Sequence, residues 1–372
     1  MRILVDYRSA LRERTGVGEY VHQAARALIA TARPGESLVL FSASWKDRLD
    51  PSVVPGATVA DRRLPVRVLN FLWHRLEWPK VEWLTGETYD VVETVHPLLM
   101  PSSGAARIVT VHDLDFLDHP ERTRAEIRRD YPALAADHAR RADQVIVNSR
   151  HTGSEVERRL GVQPSHISVC RPGAPDWPQR EREPAADGCI LFLGTLEPRK
   201  NLGVLLDAYE RLLSRWPDAP RLVLAGRVPD EAVSLIARTR QPHLAGHVEV
   251  TGYVDPDKRL RLFERALVFV LPSHTEGFGM PAVEAMMAGV PVIAANRGAL
   301  PEAVGRAGRL VDPTDAEALS RELETVLTTP MLRQQMTDEG RRHAMQFTWT
   351  ATANAMRDAW SAAVDHRRRR DA

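Results

Sequence analysis

Short apolar runs alternate with helical stretches twice over, and this double rhythm limits the possible folds more than any other feature of the chain. The first set of runs is Arg2–Asp6 ("RILVD"), Ser37–Phe41, Val91–Val92, Arg107–Val111 and Gln144–Asn148. The second is Cys189–Leu193 ("CILFL"), Arg221–Ala225, His247–Thr251, Ala266–Leu271 and Pro291–Ala294. The runs are short and rich in β-branched residues, and most precede a helical pattern, as parallel βα units require. Between the sets lies Pro172–Gly188, "PGAPDWPQREREPAADG", whose Pro, Gly and charge content is that of a linker. The pattern predicts an α/β chain of two doubly wound, Rossmann-like domains with a cleft between them, ligands binding beyond the carboxyl ends of the strands. A length of 372 residues, too many for one ordinary core, agrees.

Charge narrows the function. Lys plus Arg is 50 and Asp plus Glu is 49, so bulk charge does not point to nucleic acid. Two cysteines, Cys170 and Cys189, are too few for a disulfide scaffold and form no CxxC pair, which fits a reducing compartment. "MRILVDYRSA" has no long apolar core of a signal peptide, and no run of about 20 apolar residues exists to span a bilayer. A cytoplasmic protein is expected, able to work at the inner face of a membrane.

The richest stretch is "HTEGFGMPAVEAMMAGVPVIAA", His274–Ala295. It reads as a glycine-rich loop followed by a helix, with Pro281 at the first helical position and Gly289 after the last. Free N–H groups at such a helix start attract anions, phosphates above all. Gly277 and Gly279 let backbone approach a ligand closely. Glu276 lies in the loop and Glu284 about one turn inside the helix, so the two acids reach different parts of a ligand. Carboxylates repel phosphate but accept from hydroxyls. A molecule with phosphate in the middle and hydroxyls at both ends, such as a nucleotide-sugar, suits the arrangement.

A second cluster, "FLGTLEPRKNLGVLLDAY", follows the run Cys189–Leu193. Gly194 ends the strand. Arg199 and Lys200 precede a helix with Leu202, Leu205, Leu206 and Tyr209 on its apolar face. Two cations at a strand-to-helix turn can neutralise a diphosphate, both bound and departing.

Together these motifs resemble glycosyltransferase family 4, whose members have the GT-B fold of two Rossmann-like domains facing a central cleft. The resemblance spans essentially the whole chain. "TGVGEYV" (Thr15–Val21) resembles the family's N-terminal glycine loop, and "TVHDLDFLDHPE" (Thr110–Glu121) a stretch of its O-antigen-type mannosyltransferases. "RADQVIVNSRHT" (Arg141–Thr152) resembles the end of its N-terminal domain, and "FTWTATANAMRDAW" (Phe347–Trp360) the helix that crosses back to it. The resemblance implies an acceptor-side domain over 1–172, completed by a helix at about 347–365, and a donor-binding domain over 173–346.

It also implies roles. Glu276 would contact the transferred sugar and Glu284 the ribose. Amides around Phe278, Gly279 and Met280 would touch sugar and phosphate. Arg199 and Lys200 would hold the diphosphate, with Gly194 in the same donor site. Gly16 would allow close approach of phosphate or acceptor. Tyr253 and Val254, in the loop "GYVDPDKR", would lie near the base. His112, closing its strand and facing the cleft, would hydrogen-bond the donor sugar or assist at the reacting centre.

Family members transfer sugars with retention of configuration. Glu276 is the one obvious nucleophile for a double displacement, but front-face displacement is favoured, with Arg199, Lys200 and the helix start stabilising the leaving diphosphate. No metal is assigned. "DLD" (Asp113–Asp115) and "DPD" (Asp255–Asp257) spell the Asp-x-Asp of metal-dependent glycosyltransferases of another fold, but three-letter matches are cheap. The expected activity is metal-independent transfer of a sugar from a nucleotide-diphosphate sugar to a hydroxyl of a glycan, lipid-linked or small-molecule acceptor. The "TVHDL" region favours mannose, and GDP-mannose over UDP-sugars. The alternatives are a nucleotide-sugar 2-epimerase of the same fold and a non-catalytic carbohydrate-binding protein. "RRLPVRVLNFLWHRLEWPKVEWL", Arg62–Leu84, mixes cations with three tryptophans: such a helix can lie on an anionic membrane or pack on its own domain. The basic run His366–Arg370 can add to an anionic contact or be a disordered end.

Overall fold

The computed structural model describes residues 1–11, 14, 16–120, 131–180, 184 and 188–372, with the side chains of residues 256 and 257 excepted. Thr15 and Glu121, at the ends of two motifs above, lie outside the described residues, as does much of the second half of the Pro172–Gly188 segment. The chain divides into two compact units, Met1–Gly173 with Thr348–Ala372, and Ala174–Phe347.

The first unit is built on β1 (Arg2–Asp6), β2 (Ser37–Ala43), β3 (Thr58–Arg62), β4 (Val91–Thr94), β5 (Ala106–Val111), β6 (Gln144–Val147) and β7 (Ile167–Val169). They form one parallel sheet in the order β3-β2-β1-β4-β5-β6-β7. The order reverses between β1 and β4, so the sheet is doubly wound. β1, β4, β5 and β6 are buried almost without a break because helices cover both faces of the sheet.

The helix Trp349–Asp371 brings the end of the chain back to this unit. Arg357 is buried in it and donates to both Glu36 oxygens (2.9 Å), to Thr31 Oγ1 (3.0 Å) and to the Leu28 carbonyl (3.0 Å). The Trp360 indole donates to Glu93 at 2.6 Å, and Thr110 Oγ1 donates to the same carboxylate at 3.0 Å. His366–Arg370 corrects the reading of a disordered end: it continues the helix. Arg370 lies 2.8 Å and Arg367 3.7 Å from the buried Asp143, and His366 stacks on His166 with ring centres 4.2 Å apart. A buried carboxylate needs such partners, and Asp143 therefore fixes the basic run in place.

The second unit holds β8 (Cys189–Leu193), β9 (Leu222–Ala225), β10 (Val248–Gly252), β11 (Ala266–Leu271), β12 (Val292–Ala295) and β13 (Arg309–Val311). They pair in parallel in the order β10-β9-β8-β11-β12-β13. Its core includes the faces of the helices Leu202–Arg215 and Met280–Met287, with Leu202, Leu205, Leu206 and Tyr209 all buried. The unit begins earlier than a free linker would allow. Ala174 N–H donates to the Phe347 carbonyl (2.9 Å), Trp177 packs on Phe263, and Arg180 donates to the Ala266 carbonyl (2.5 Å). No helix among the described residues is long and apolar enough to cross a membrane.

Candidate functional site

β8 and β11 are neighbours, so the loops at their carboxyl ends leave the second sheet side by side. One loop runs through Gly194 and the turn Pro198–Lys200 into the helix Leu202–Arg215; the other runs into Met280–Met287. His274 N–H donates to the Arg199 carbonyl at 2.8 Å. Asn201 Nδ2 donates to the carbonyls of Pro272 (3.1 Å) and Pro313 (2.6 Å). Asn201 stands at φ 57°, a left-handed conformation that Asn tolerates better than most residues. At the exit of β8 the backbones almost touch: a Cβ on Gly226 would sit 2.0 Å from the Gly194 carbonyl oxygen.

Glu276 is held from three sides. Lys200 Nζ is 2.6 Å from Oε1, and Ser273 Oγ donates to the same oxygen at 2.7 Å. Arg199 Nη1 lies 3.6 Å from Oε2, while its Nε donates to Glu197 at 2.8 Å. Glu276 and Lys200 are both buried. Burial pushes the Glu276 carboxyl up, but Lys200 and Arg199 outweigh it and hold the group below its ordinary value, so it is ionised at neutral pH. Burial also draws Lys200 down, with Arg199 adding to the fall and Glu276 opposing it.

Glu284 has a different partner. It lies a turn inside the helix Met280–Met287, and Arg259 Nη1 is 2.7 Å from its Oε1, both side chains being largely buried. Arg259 comes from the helix Pro256–Arg265, which corrects the reading of "GYVDPDKR" as a loop. Only Tyr253, Val254 and Asp255 are loop. Pro256 starts a helix there because its missing N–H is one that a first turn leaves unbonded anyway. Tyr253 and Val254 follow Gly252 at the end of β10 and are half-buried.

Phe278 turns its ring into the core, edge-on to Phe347 at 5.4 Å, so it offers a site its backbone alone. Gly279 has φ 102°, and a Cβ there would meet Leu300 at 2.6 Å; only glycine starts the helix in this way. Met280 is half-buried and takes the first helical position, so Pro281, expected there, is the second helical residue.

The second unit thus brings Gly194, Arg199, Lys200, Glu276, Phe278, Gly279 and Met280 onto two laced loops, with Glu284 just behind. Gly16 and His112 belong to the first unit. Gly16 precedes the helix Val17–Ala30 with φ 41°. His112 directly follows β5, with its ring edge-on to Tyr20 at 5.2 Å and donating to the Val95 carbonyl. Burial pushes it down to about 4, so the imidazole is neutral at pH 7.

Sequence reasoning missed Ser273, Asn201 and Arg259. Ser273 lies three positions before Glu276, a spacing that could have suggested it; nothing in the sequence ties Arg259 to Glu284. The Asp-x-Asp strings serve locally. Asp113 accepts from Asp115 N–H at 3.2 Å, and Asp255 pairs with Lys258 at 3.0 Å; the side chain of Asp257 lies outside the described residues. Among the described residues no three His, Cys, Asp or Glu side chains are grouped to hold a metal ion.

Comparisons with known proteins match this anatomy. Residues 174–343 fit the family described as "Glycosyl transferases group 1", and residues 14–176 fit "Glycosyltransferase Family 4". O-antigen chain mannosyltransferase B of Escherichia coli is 30% identical over 366 residues, covering 92% of this chain and 95% of that protein. D-inositol 3-phosphate glycosyltransferase 2 of Catenulispora acidiphila is 30% identical over 307 residues, covering 77% and 69%. Among solved structures, sucrose-phosphate synthase from Thermosynechococcus elongatus superposes with a TM-score of 0.74 at 21% identity, covering 97% of this chain and 98% of that one. Anabaena Alr3699/HepE in complex with UDP and glucose gives 0.71 at 17% identity, covering 97% and 99%.

Proposed function

We infer the reaction from one premise, that the chain belongs to glycosyltransferase family 4 and has the GT-B fold. It is a glycosyltransferase with a nucleotide-sugar donor. The finer reading is a retaining, metal-independent transfer of mannose, from GDP-mannose, to a hydroxyl of a glycan, lipid-linked or small-molecule acceptor. The full-length likeness to a mannosyltransferase supports the sugar.

The observation that carries the reading is the Lys200–Glu276 pair at the mouth of a glycine-started helix. Lys200, Arg199 and the amides at Gly279 and Met280 would take the diphosphate, and Glu276, with Ser273 beside it, would accept from sugar hydroxyls. Glu284 would accept from the ribose, oriented by Arg259. Tyr253 and Val254 would flank the base. Gly16 and His112 would act from the first unit, His112 as a neutral hydrogen-bonding group on the sugar.

A carboxylate with a lysine at 2.6 Å and an arginine at 3.6 Å is a poor nucleophile, which favours front-face displacement over a glycosyl-enzyme intermediate. The acceptor oxygen bonds to the anomeric carbon on the face from which the diphosphate leaves. The bond from that carbon to the phosphate oxygen breaks, and the acceptor proton passes to the departing phosphate. Fixed positive charge at Lys200 and Arg199 stabilises the nucleoside diphosphate as it forms, which is the task a metal ion performs elsewhere.

Calorimetry with GDP, UDP and ADP tests the donor site, and NMR of the product tests configuration. Binding of GDP and an α-mannoside product are expected. Failure of every nucleotide to bind would overturn the donor-site assignment, and a β-product the retaining mechanism.

A further inference from the structure

Glu197 holds both cations of the loop that follows β8. It stands directly before the turn Pro198–Lys200, and its carbonyl accepts from Lys200 N–H at 3.0 Å. Its carboxylate Oε2 accepts from Arg199 Nε at 2.8 Å. Pro198, between the acid and the cations, leaves the turn little freedom in φ. The backbone of Glu197 thus steadies Lys200, and its side chain steadies Arg199. Its own N–H donates to the Thr195 carbonyl at 2.8 Å, so the grip is tied back to the exit of β8.

The bond through Nε matters most. Nε lies in the guanidinium plane, so a partner there sets the plane of the whole group and not only the position of one N–H. Two further contacts hold the same plane: Nη1 donates to the Thr275 carbonyl at 3.3 Å and lies 3.6 Å from Glu276 Oε2. Arg199 nevertheless remains 21% exposed, so a ligand can reach it. Glu197, Arg199, Glu276 and Lys200 form a chain of alternating charge across the two loops, at separations of 2.8, 3.6 and 2.6 Å. Arg199, Glu276 and Lys200 have parts in the proposed reaction, whereas Glu197 has none. A carboxylate beside a site for diphosphate repels the ligand, so its presence there asks for a reason.

We propose that Glu197 is a positioning residue, which presets the Arg199 guanidinium for the diphosphate of the donor without touching the donor itself. The role rests on the donor-site reading above and adds to it. A loose arginine gives up rotamer freedom when it binds. One already held at Nε gives up less, and the difference goes into affinity. Guanidinium recognition of phosphate is directional, so the orientation of Arg199 counts as well as its charge. The sign of the effect separates this role from plain electrostatics. Were Glu197 only a nearby negative charge, its removal would strengthen diphosphate binding. As a positioning residue, its removal weakens it.

The test is calorimetry of the full chain with GDP, UDP and ADP, followed by variants against whichever binds tightest. Glu197→Ala removes charge and grip together, whereas Glu197→Gln removes the charge and keeps an oxygen that accepts from Nε. Glu197→Ala is expected to raise the Kd about tenfold, and Glu197→Gln to recover most of the affinity. The Tm of both should stay at the wild-type value, since a partly exposed ion pair adds little to stability. In an Arg199→Ala background, Glu197→Ala is expected to cause no further loss, because the group it positions is gone. An equal or lower Kd in Glu197→Ala than in wild type overturns the role and leaves the donor site standing. So does a loss of the same size in both backgrounds, which is the mark of a disturbed fold. Wild-type protein that binds none of the three diphosphates overturns the donor-site reading and this role with it.

Discussion

Lys200 sets its ammonium 2.6 Å from a Glu276 oxygen, and neither side chain has more than a tenth of its surface in water. Two opposite charges buried at this distance neutralise each other at the cost of both hydration shells. Removing one partner strands the other. Lys200→Met is expected to lower stability by about 3–5 kcal/mol, and Lys200→Met/Glu276→Leu to recover most of that loss. Urea unfolding of wild type, single and double variants measures both. Sugar transfer stays lost in the double variant if the pair serves the reaction; a fully active double variant would assign it to folding alone.

Arg259 is the cation of Glu284, at 2.7 Å. Arg259→Leu removes the charge-assisted bond that orients Glu284, so its hold on a ribose weakens. The expected result is about a tenfold rise in the Kd for nucleoside diphosphates, with partial rescue by Arg259→Lys. Calorimetry decides it, and equal affinities in wild type and Arg259→Leu would remove Arg259 from the donor site.

Much of this was legible before any coordinates. The strands of both sheet centres announced themselves as β-branched runs, and Pro281 and Gly289 framed the helix that carries Glu284. The strands not foreseen, β3, β7 and β13, are sheet edges of three to five residues, where one-sided pairing needs no long apolar run. Arg259 was hidden because its partner is 25 positions away, and periodicity carries no information about which cation meets which acid. The buried Trp73 could not be separated from the exposed Trp78 and Trp83 by composition; the direction each side chain takes from the helix and the turn decides that.

Glu93 gives the first unit a pH dependence. Burial raises its carboxyl to about 7, with the Trp360 and Thr110 hydrogen bonds opposing the shift. The folded chain therefore binds this proton more tightly than the unfolded chain, whose carboxyl titrates near the ordinary value. The protonated folded state is favoured at pH 4.5 and below, and stability falls as pH rises towards 7, by about 3 kcal/mol from this group. Glu93→Gln keeps an acceptor and removes the titration. Urea unfolding at pH 5.5 and 8 should show a shallower loss in the variant; identical slopes would exclude Glu93 as the source.

Two glycines in the second unit should respond oppositely to alanine. At Gly226 the new Cβ would lie 2.0 Å from the Gly194 carbonyl oxygen, a backbone atom, so the exits of β8 and β9 must part. A loss of more than about 2 kcal/mol is expected. Gly203, in the helix Leu202–Arg215, has nothing within 4 Å of an added Cβ, and Gly203→Ala should gain about 0.5–1 kcal/mol. Thermal unfolding of the two variants checks the contrast.

The helix Trp349–Asp371 belongs to the unit that the ribosome makes first. Arg357 and Trp360 hold Glu36 and Glu93, residues synthesised more than 250 positions earlier. Domains usually fold in the order in which they emerge. Here the second unit can close on itself while the first still waits with the buried Glu93 and the half-buried Glu36 lacking these partners. The first unit is therefore finished after the second, and a nascent chain would need protection around Glu36 and Glu93 until this helix has been made.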